Sequence, residues 1–186
     1  MVVKNDMTAQ NLRSAFGGES QAYQRYIVWG NKAEDEGFPG VALLFRAIAY
    51  AEQVHAGNHF KALENIKGGH LVASGGEFGL GKTTENLEGA IAGERFEVEQ
   101  MYPAYKLVAK DQGEKEAIRS FNYALEAEKI HAKLYEEARE SVEQGQDYQV
   151  ESVSICSICG YTETDGMPDK CPICGAPRDK FKEFTK

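Results

Sequence analysis

The sequence predicts a mainly α protein: a four-helix bundle with one long crossover, followed by a small C-terminal metal-binding domain. Three observations predict it. Apolar residues recur at steps of three and four over four long segments before residue 144. Two of the three breaks between those segments are short, while the middle one is a glycine-rich run of fifteen residues, GGHLVASGGEFGLGK. All four cysteines lie in the last 31 of the 186 residues.

The first helix is expected over 8–36, with Thr8 as N-cap and Leu12, Ala15, Phe16, Glu19, Ala22, Tyr23 and Tyr26 on its inner stripe. GFPG at 37–40 breaks it, and a second helix follows over 40–66. The glycine-rich run is then long enough to cross over the bundle. A third helix starts near Thr84, with Glu85 and Glu88 favourable in its first turn, and ends near Gln112. Pro103 should kink it or interrupt its hydrogen bonds locally. Gly113 reverses the chain, and a fourth helix runs to about Glu143. QGQDYQV at 144–150 reads as a short polar linker, which places the domains at 1–146 and 147–186.

Composition narrows the function. A net charge of −8 argues against a nucleic-acid partner. The longest pure apolar run, VALLF at 41–45, is too short to span a bilayer, and the opening MVVKNDMTAQ has no apolar segment of signal-peptide length. A cytoplasmic location is expected. There, two tight C-x-x-C pairs favour metal over disulfides.

An internal repeat picks out the chemistry. The second helix carries Glu52-Gln53-Val54-His55 and the fourth Glu128-Lys129-Ile130-His131, at an offset of 76 residues. Seven places before each glutamate stands a phenylalanine, Phe45 or Phe121, so the glutamates share an apolar stripe. Glu19 and Glu94 likewise follow Leu12 and Leu87 by seven, at an offset of 75. One glutamate on such a stripe is usually a face drawn wrongly. Four of them, two with Glu-x-x-His in register, need a cation, because unpaired buried carboxylates cost several kcal/mol. Residues three apart on a helix are separated by about 4.5 Å of rise and roughly 60° of rotation, so each pair converges on one space. Oxygen and imidazole donors suit iron or manganese, and ferritin-like di-iron bundles are built this way. The repeat also separates His55 from His59: the counterpart of His55 is His131, whereas that of His59 is Tyr135. His59 is therefore read as a buried polar group or a residue supporting a ligand. Glu97 can reach the same cavity or lie solvated on the helix; spacing leaves both open. Tyr26 and Tyr102 are placed to donate to a ligating carboxylate, or simply to fill core.

In the tail, Cys156 and Cys159 are separated by eleven residues from Cys171 and Cys174, and each second cysteine is followed by glycine. Four thiolates make a tetrahedral site for iron or zinc. Beside a two-iron site, a one-electron iron centre is the better reading. GEFGLGKT at 76–83 fits a phosphate-binding loop, and HLVAS before it could form a strand, but a P-loop needs a parallel sheet, no other strands are evident, and the following helix is committed to Glu94.

AFGGESQAYQRY, AYAEQVH, AGERFEVEQMYP and ALEAEKIH resemble the four ligand motifs of the rubrerythrin family, and CSICGY with CPICGAPRDKF resembles its rubredoxin-type tail. The resemblance spans nearly the whole chain. It implies a ferritin-like bundle with a rubredoxin-like domain. It implies two iron ions held by Glu19, Glu52, His55, Glu94, Glu97, Glu128 and His131, and one iron held by the four cysteines, with zinc as the alternative there. Glu97 and His55 would exchange on one iron as its charge changes. With Tyr26 and Tyr102 they are the candidate catalytic residues. The implied activity is reduction of hydrogen peroxide to water, with electrons from a donor protein or reductase passing through the tail. A homodimer is implied, with helix exchange through the crossover as a variant. The competing expectation is a ferroxidase or iron-storage protein, which has no need of a thiolate relay.

Overall fold

The computed structural model describes residues 3–186. Helix α1 spans Asp6–Asp35 and α2 Pro39–Ala62; the third rod is α3 (Thr83–Phe96), a π-helical segment (Glu97–Met101) and α4 (Tyr102–Asp111); α5 spans Lys115–Glu143. The tail adds β1 (Ser152–Cys156), β2 (Thr162–Thr164) and β3 (Phe181–Thr185) as an antiparallel sheet in the order β2-β1-β3.

Four rods and one crossover match the expectation, with local corrections. Thr8 lies inside α1, and Asn5 is the N-cap residue. The helix extends back because Glu114, just before α5, accepts hydrogen bonds from the backbone N–H groups of Lys4 (2.8 Å) and Asn5 (2.9 Å). Helix α2 ends four residues early, where Leu63 N–H turns back to Phe60 O at 3.0 Å. Pro103 does not simply kink the third rod. The Tyr102 N–H bonds to Glu97 O, five residues back, so the turn before the proline is widened by one residue. Proline supplies no N–H and crowds the carbonyl four residues earlier, and the π turn relieves both.

The apolar stripes form two separate clusters. One gathers Tyr26, Trp29, Phe45, Leu87 and Tyr135; the other gathers Leu12, Tyr102, Phe121 and Leu125. Each large side chain buried there contributes about 1.5–3 kcal/mol. Between the clusters, at mid-height of all four rods, lie the buried Glu19, Glu52, His55, Glu94, Glu128 and His131.

The crossover runs along α1 as an extended strap. Ser14 Oγ donates to Ala73 O (2.9 Å), and Trp29 Nε1 donates to Gly79 O (2.9 Å). A side chain at Gly17 would collide with Val72, so that glycine lets the strap lie close. At its end, Glu36 accepts from both Thr83 N (2.8 Å) and Thr83 Oγ1 (2.6 Å). A carboxylate thus occupies the helix start that a phosphate would need, which closes the P-loop reading.

The segment expected as a polar linker is exposed over most of its length but anchored at Asp147 and Val150, ahead of the buried Val153 and Ile155 of β1. Val150, Val153 and Ile155 are buried with the bundle's own cluster, and Asp147 accepts from Gly40 N (2.8 Å) and Val41 N (3.3 Å), capping α2 from a distance. Asp147→Ala removes that cap. The expected cost is about 1 kcal/mol, seen as a melting temperature lowered by a few degrees in a thermal scan.

Candidate metal centres

Three donor clusters emerge among the described residues. Glu19, Glu52, His55 and Glu128 each bring one ligand atom within 4.8 Å of the others; so do Glu52, Glu94, Glu128 and His131; so do the four cysteines. Glu52 and Glu128 belong to both bundle clusters, so two neighbouring positions share two carboxylates. Each histidine turns Nδ1 inward: His55 Nδ1 lies 2.9 Å from Glu52 Oε2, and His131 Nδ1 lies 2.6 Å from Glu128 Oε2.

The protein groups themselves indicate that cations belong there. One oxygen on each of Glu19 and Glu94 is buried with no hydrogen bond, and one oxygen on each of Glu128 and Glu52 faces only a histidine, His55 Nδ1 at 2.8 Å and His131 Nδ1 at 3.4 Å. The other oxygen of Glu94 is taken by the Tyr26 hydroxyl at 2.6 Å, and that of Glu19 by the Tyr102 hydroxyl. Each tyrosine thus crosses the core to the other helix's glutamate rather than serving its own. Buried, unpartnered carboxylate oxygens facing imidazole nitrogens are a donor set for iron-type cations.

Burial, then the charge of neighbouring glutamates, pushes Glu19, Glu94 and Glu97 well above the usual carboxylate range. Burial opposes charge on the two histidines, but Glu128 outweighs it. His55 is raised, and His131 is held up at about 9. Glu19, Glu94 and both histidines thus hold their protons more tightly than usual, and cations must displace those protons. Loading the full chain with Fe(II) or Zn(II) is expected to release several protons, and apparent affinity should fall as pH is lowered. Calorimetry in two buffers of different ionisation heat reads this; binding without proton release would contradict it.

Glu97 is in neither cluster. It is half-buried in the π segment, at a cavity of about 230 Å³ lined also by Gly18, Ser74 and Gly93. Of the two residues expected to exchange, His55 is gathered with the carboxylates and Glu97 stands off.

In the tail, Cys156 Sγ lies 3.6 Å from Cys174 Sγ, and Cys159 Sγ lies 3.4 Å from Cys171 Sγ. Metal–sulfur bonds of about 2.3 Å give tetrahedral edges near these lengths. The two halves are matched knuckles: Gly160 and Gly175 have φ of 82° and 75°, and each donates its N–H to the first cysteine of its pair at 2.9 Å.

The tail also touches both bundle histidines, which spacing along the chain gave no signal for. His55 Nε2 lies 3.1 Å from the Cys159 carbonyl, and His131 Nε2 lies 2.8 Å from Thr162 Oγ1. A second partnership missed from sequence is that of His59, which lies 2.9 Å from the Tyr102 hydroxyl. For the π segment the signal was present. Glu19 and Glu94 repeat at 75 residues, whereas Tyr26 and Tyr102, like both Glu-x-x-His pairs, repeat at 76. The extra residue is the widened turn.

A four-rod bundle holding a carboxylate–histidine di-iron-type site, joined to a four-cysteine rubredoxin-like module, defines a ferritin-like metalloprotein with its own thiolate centre. Comparison with known proteins gives the family. The rubrerythrin family model matches residues 10–139, and the model for the rubrerythrin rubredoxin-like domain matches 155–182. The chain is 50% identical over 184 residues to rubrerythrin-2 of Clostridium acetobutylicum, covering 99% of this chain and 100% of that one. It is 34% identical over 185 residues to rubrerythrin of Nitratidesulfovibrio vulgaris, covering 97% and 95%. Fully reduced, all-ferrous nigerythrin superposes with a TM-score of 0.84 at 30% identity, covering 98% of this chain and 88% of that one. The chain belongs to the rubrerythrin family.

Proposed function

We propose that this protein is a peroxidase that reduces hydrogen peroxide to two waters, using two electrons and two protons, in defence against oxidative stress. The observation that carries the reading is the contact between the centres: the Cys159 carbonyl accepts a hydrogen bond from His55 Nε2 at 3.1 Å. A thiolate residue thus joins directly to a histidine of the bundle cluster. A store of iron gains nothing from such a contact; an enzyme refilled one electron at a time does. The iron pair, when bound, supplies the two electrons and a positive surface for peroxide.

The chain's residues do the rest. Tyr26 and Tyr102 fix Glu94 and Glu19, so each carboxylate offers one oxygen inward. Glu97 stands at the cavity beneath the strap, where burial raises its affinity for a proton, and it is the group placed to meet an entering oxidant. Thr162 donates to Gly160 O at 3.1 Å and so must accept from His131, holding that ring's Nδ1 inward. The exposed Leu71, Phe78 and Leu80 of the strap favour a second copy of the chain as partner, in a homodimer. Four free cysteines suit a cytoplasmic setting with an electron-donor protein, and no helix among the described residues is long and apolar enough to cross a membrane.

Stopped-flow mixing of the fully reduced protein with peroxide, and separately with oxygen, tests the assignment. Faster oxidation by peroxide is expected; much faster oxidation by oxygen would transfer the protein to the ferroxidase class.

A further inference from the structure

The bundle is nearly two-fold about its metal cluster, and its departure from symmetry points to a residue with a role of its own. Tyr26 and Tyr102 occupy equivalent places, each donating to a carboxylate across the core. Behind Tyr102 the chain of polar groups continues. His59 Nε2 lies 2.9 Å from the phenol oxygen, and His59 Nδ1 lies 2.8 Å from Ser120 Oγ. Ser120 lines a cavity of about 460 Å³ that opens between α2, α5 and Ile158 of the tail. On the other side the chain stops. The counterpart of His59 is Tyr135, whose hydroxyl is buried without a partner, and the counterpart of Ser120 is Leu44.

The directions of these bonds follow from counting hydrogens. A phenol has one, and Tyr102 gives it to Glu19 when Glu19 is ionised against a cation. Its oxygen must then accept from His59, which requires a hydrogen on Nε2. Nδ1 is left with its lone pair and accepts from Ser120. The ring is fully buried and each nitrogen meets a neutral hydroxyl, Tyr102 on one side and Ser120 on the other, so the neutral form satisfies both bonds without burying a charge.

We propose that His59, as the neutral Nε2–H tautomer, is a positioning residue for the metal position built on Glu19 and His55. It locks Tyr102 as a donor to one oxygen of Glu19, leaves the partnerless Oε2 to the cation, and continues the polar chain behind this tyrosine, and not behind Tyr26, to a surface cavity. The position built on Glu94 and His131 has a tyrosine with no such support. The two metal positions are thereby made unequal by residues that touch neither ion.

The proposal rests on the metal reading of Glu19, and the tests keep the two apart. In full-length protein loaded with zinc, ¹⁵N NMR of the histidine rings should show His59 neutral with its hydrogen on Nε2. A hydrogen on Nδ1, or a charged ring, overturns the proposal, while the zinc content of the same sample reports separately on the metal reading. In the diferrous protein, His59→Leu should shift one of the two ferrous Mössbauer signals and leave the other. His59→Gln, which keeps a donor and an acceptor, should restore the original spectrum, and Tyr135→Phe should move neither signal. A His59→Leu spectrum in which both signals move alike, or neither moves, overturns it. Should His59→Leu fail to fold, the tautomer of the unaltered protein still decides.

Discussion

Glu128→Ala is expected to empty both metal positions of the bundle, whereas Glu19→Ala should weaken only one. Glu128 belongs to both donor clusters and Glu19 to one. Loss of a partner that merely supports a ligand costs roughly 10–100-fold in affinity, so loss of a shared ligand should exceed that range for each ion. Iron content per chain after gel filtration reads the difference. A second consequence appears without metal. Burial opposes ionisation of Glu128, but the two histidines hold its carboxyl below the usual range, so it is the anion that balances them. Removing one partner of a buried charge pair costs about 3–5 kcal/mol. Chelated Glu128→Ala should therefore melt well below the chelated parent. Glu94→Gln, which relieves crowding among like carboxylates, should not. Retention of both ions by Glu128→Ala would show that Glu128 bridges nothing.

The residues in this prediction were legible in the sequence because a repeat fixes them twice. Glu52 with His55 and Glu128 with His131 sit at the same depth on two rods, each two turns from a buried phenylalanine. Helical periodicity converts such spacing into position on a face. The knuckle glycines were legible for a similar local reason: Gly160 and Gly175 adopt the positive φ that the turn after each C-x-x-C demands. Contacts between distant segments were not legible. Nothing in QGQDYQV announces that Asp147 will cap a helix 107 residues earlier, and nothing in the tail announces that Thr162 will meet His131. Such pairings are set by how the sheet docks on α2, where Tyr50 packs on Phe184 at 5.7 Å and Ile155 joins the bundle's core. The choice of carboxylate by each tyrosine was hidden in the same way. Tyr26 shares a helix with Glu19 yet donates across the core to Glu94.

Docking of the sheet also sets the most specific expectation for electron delivery. A side chain at Gly160 would enter the ring of His55 at its Nε2 edge, while one at Gly175 would meet nothing within 4 Å. Both glycines hold positive φ in matched knuckles, so alanine at either imposes the same backbone penalty, about 1–2 kcal/mol. Only at Gly160 must the tail also move off the bundle. The two variants therefore separate the cost of strain from the loss of contact. Both should keep a red iron–thiolate tail and both bundle irons. After mixing of reduced protein with peroxide, the iron–thiolate absorption should return in Gly175→Ala as in the parent. In Gly160→Ala it should return measurably more slowly, because the tail is pushed off His55. Equal rates in the two variants would mean that electrons reach the bundle by a route other than Cys159 and His55, including one from the tail of a partner subunit. Mixing Gly160→Ala chains with chains lacking their own cysteine site would identify that route by restored transfer.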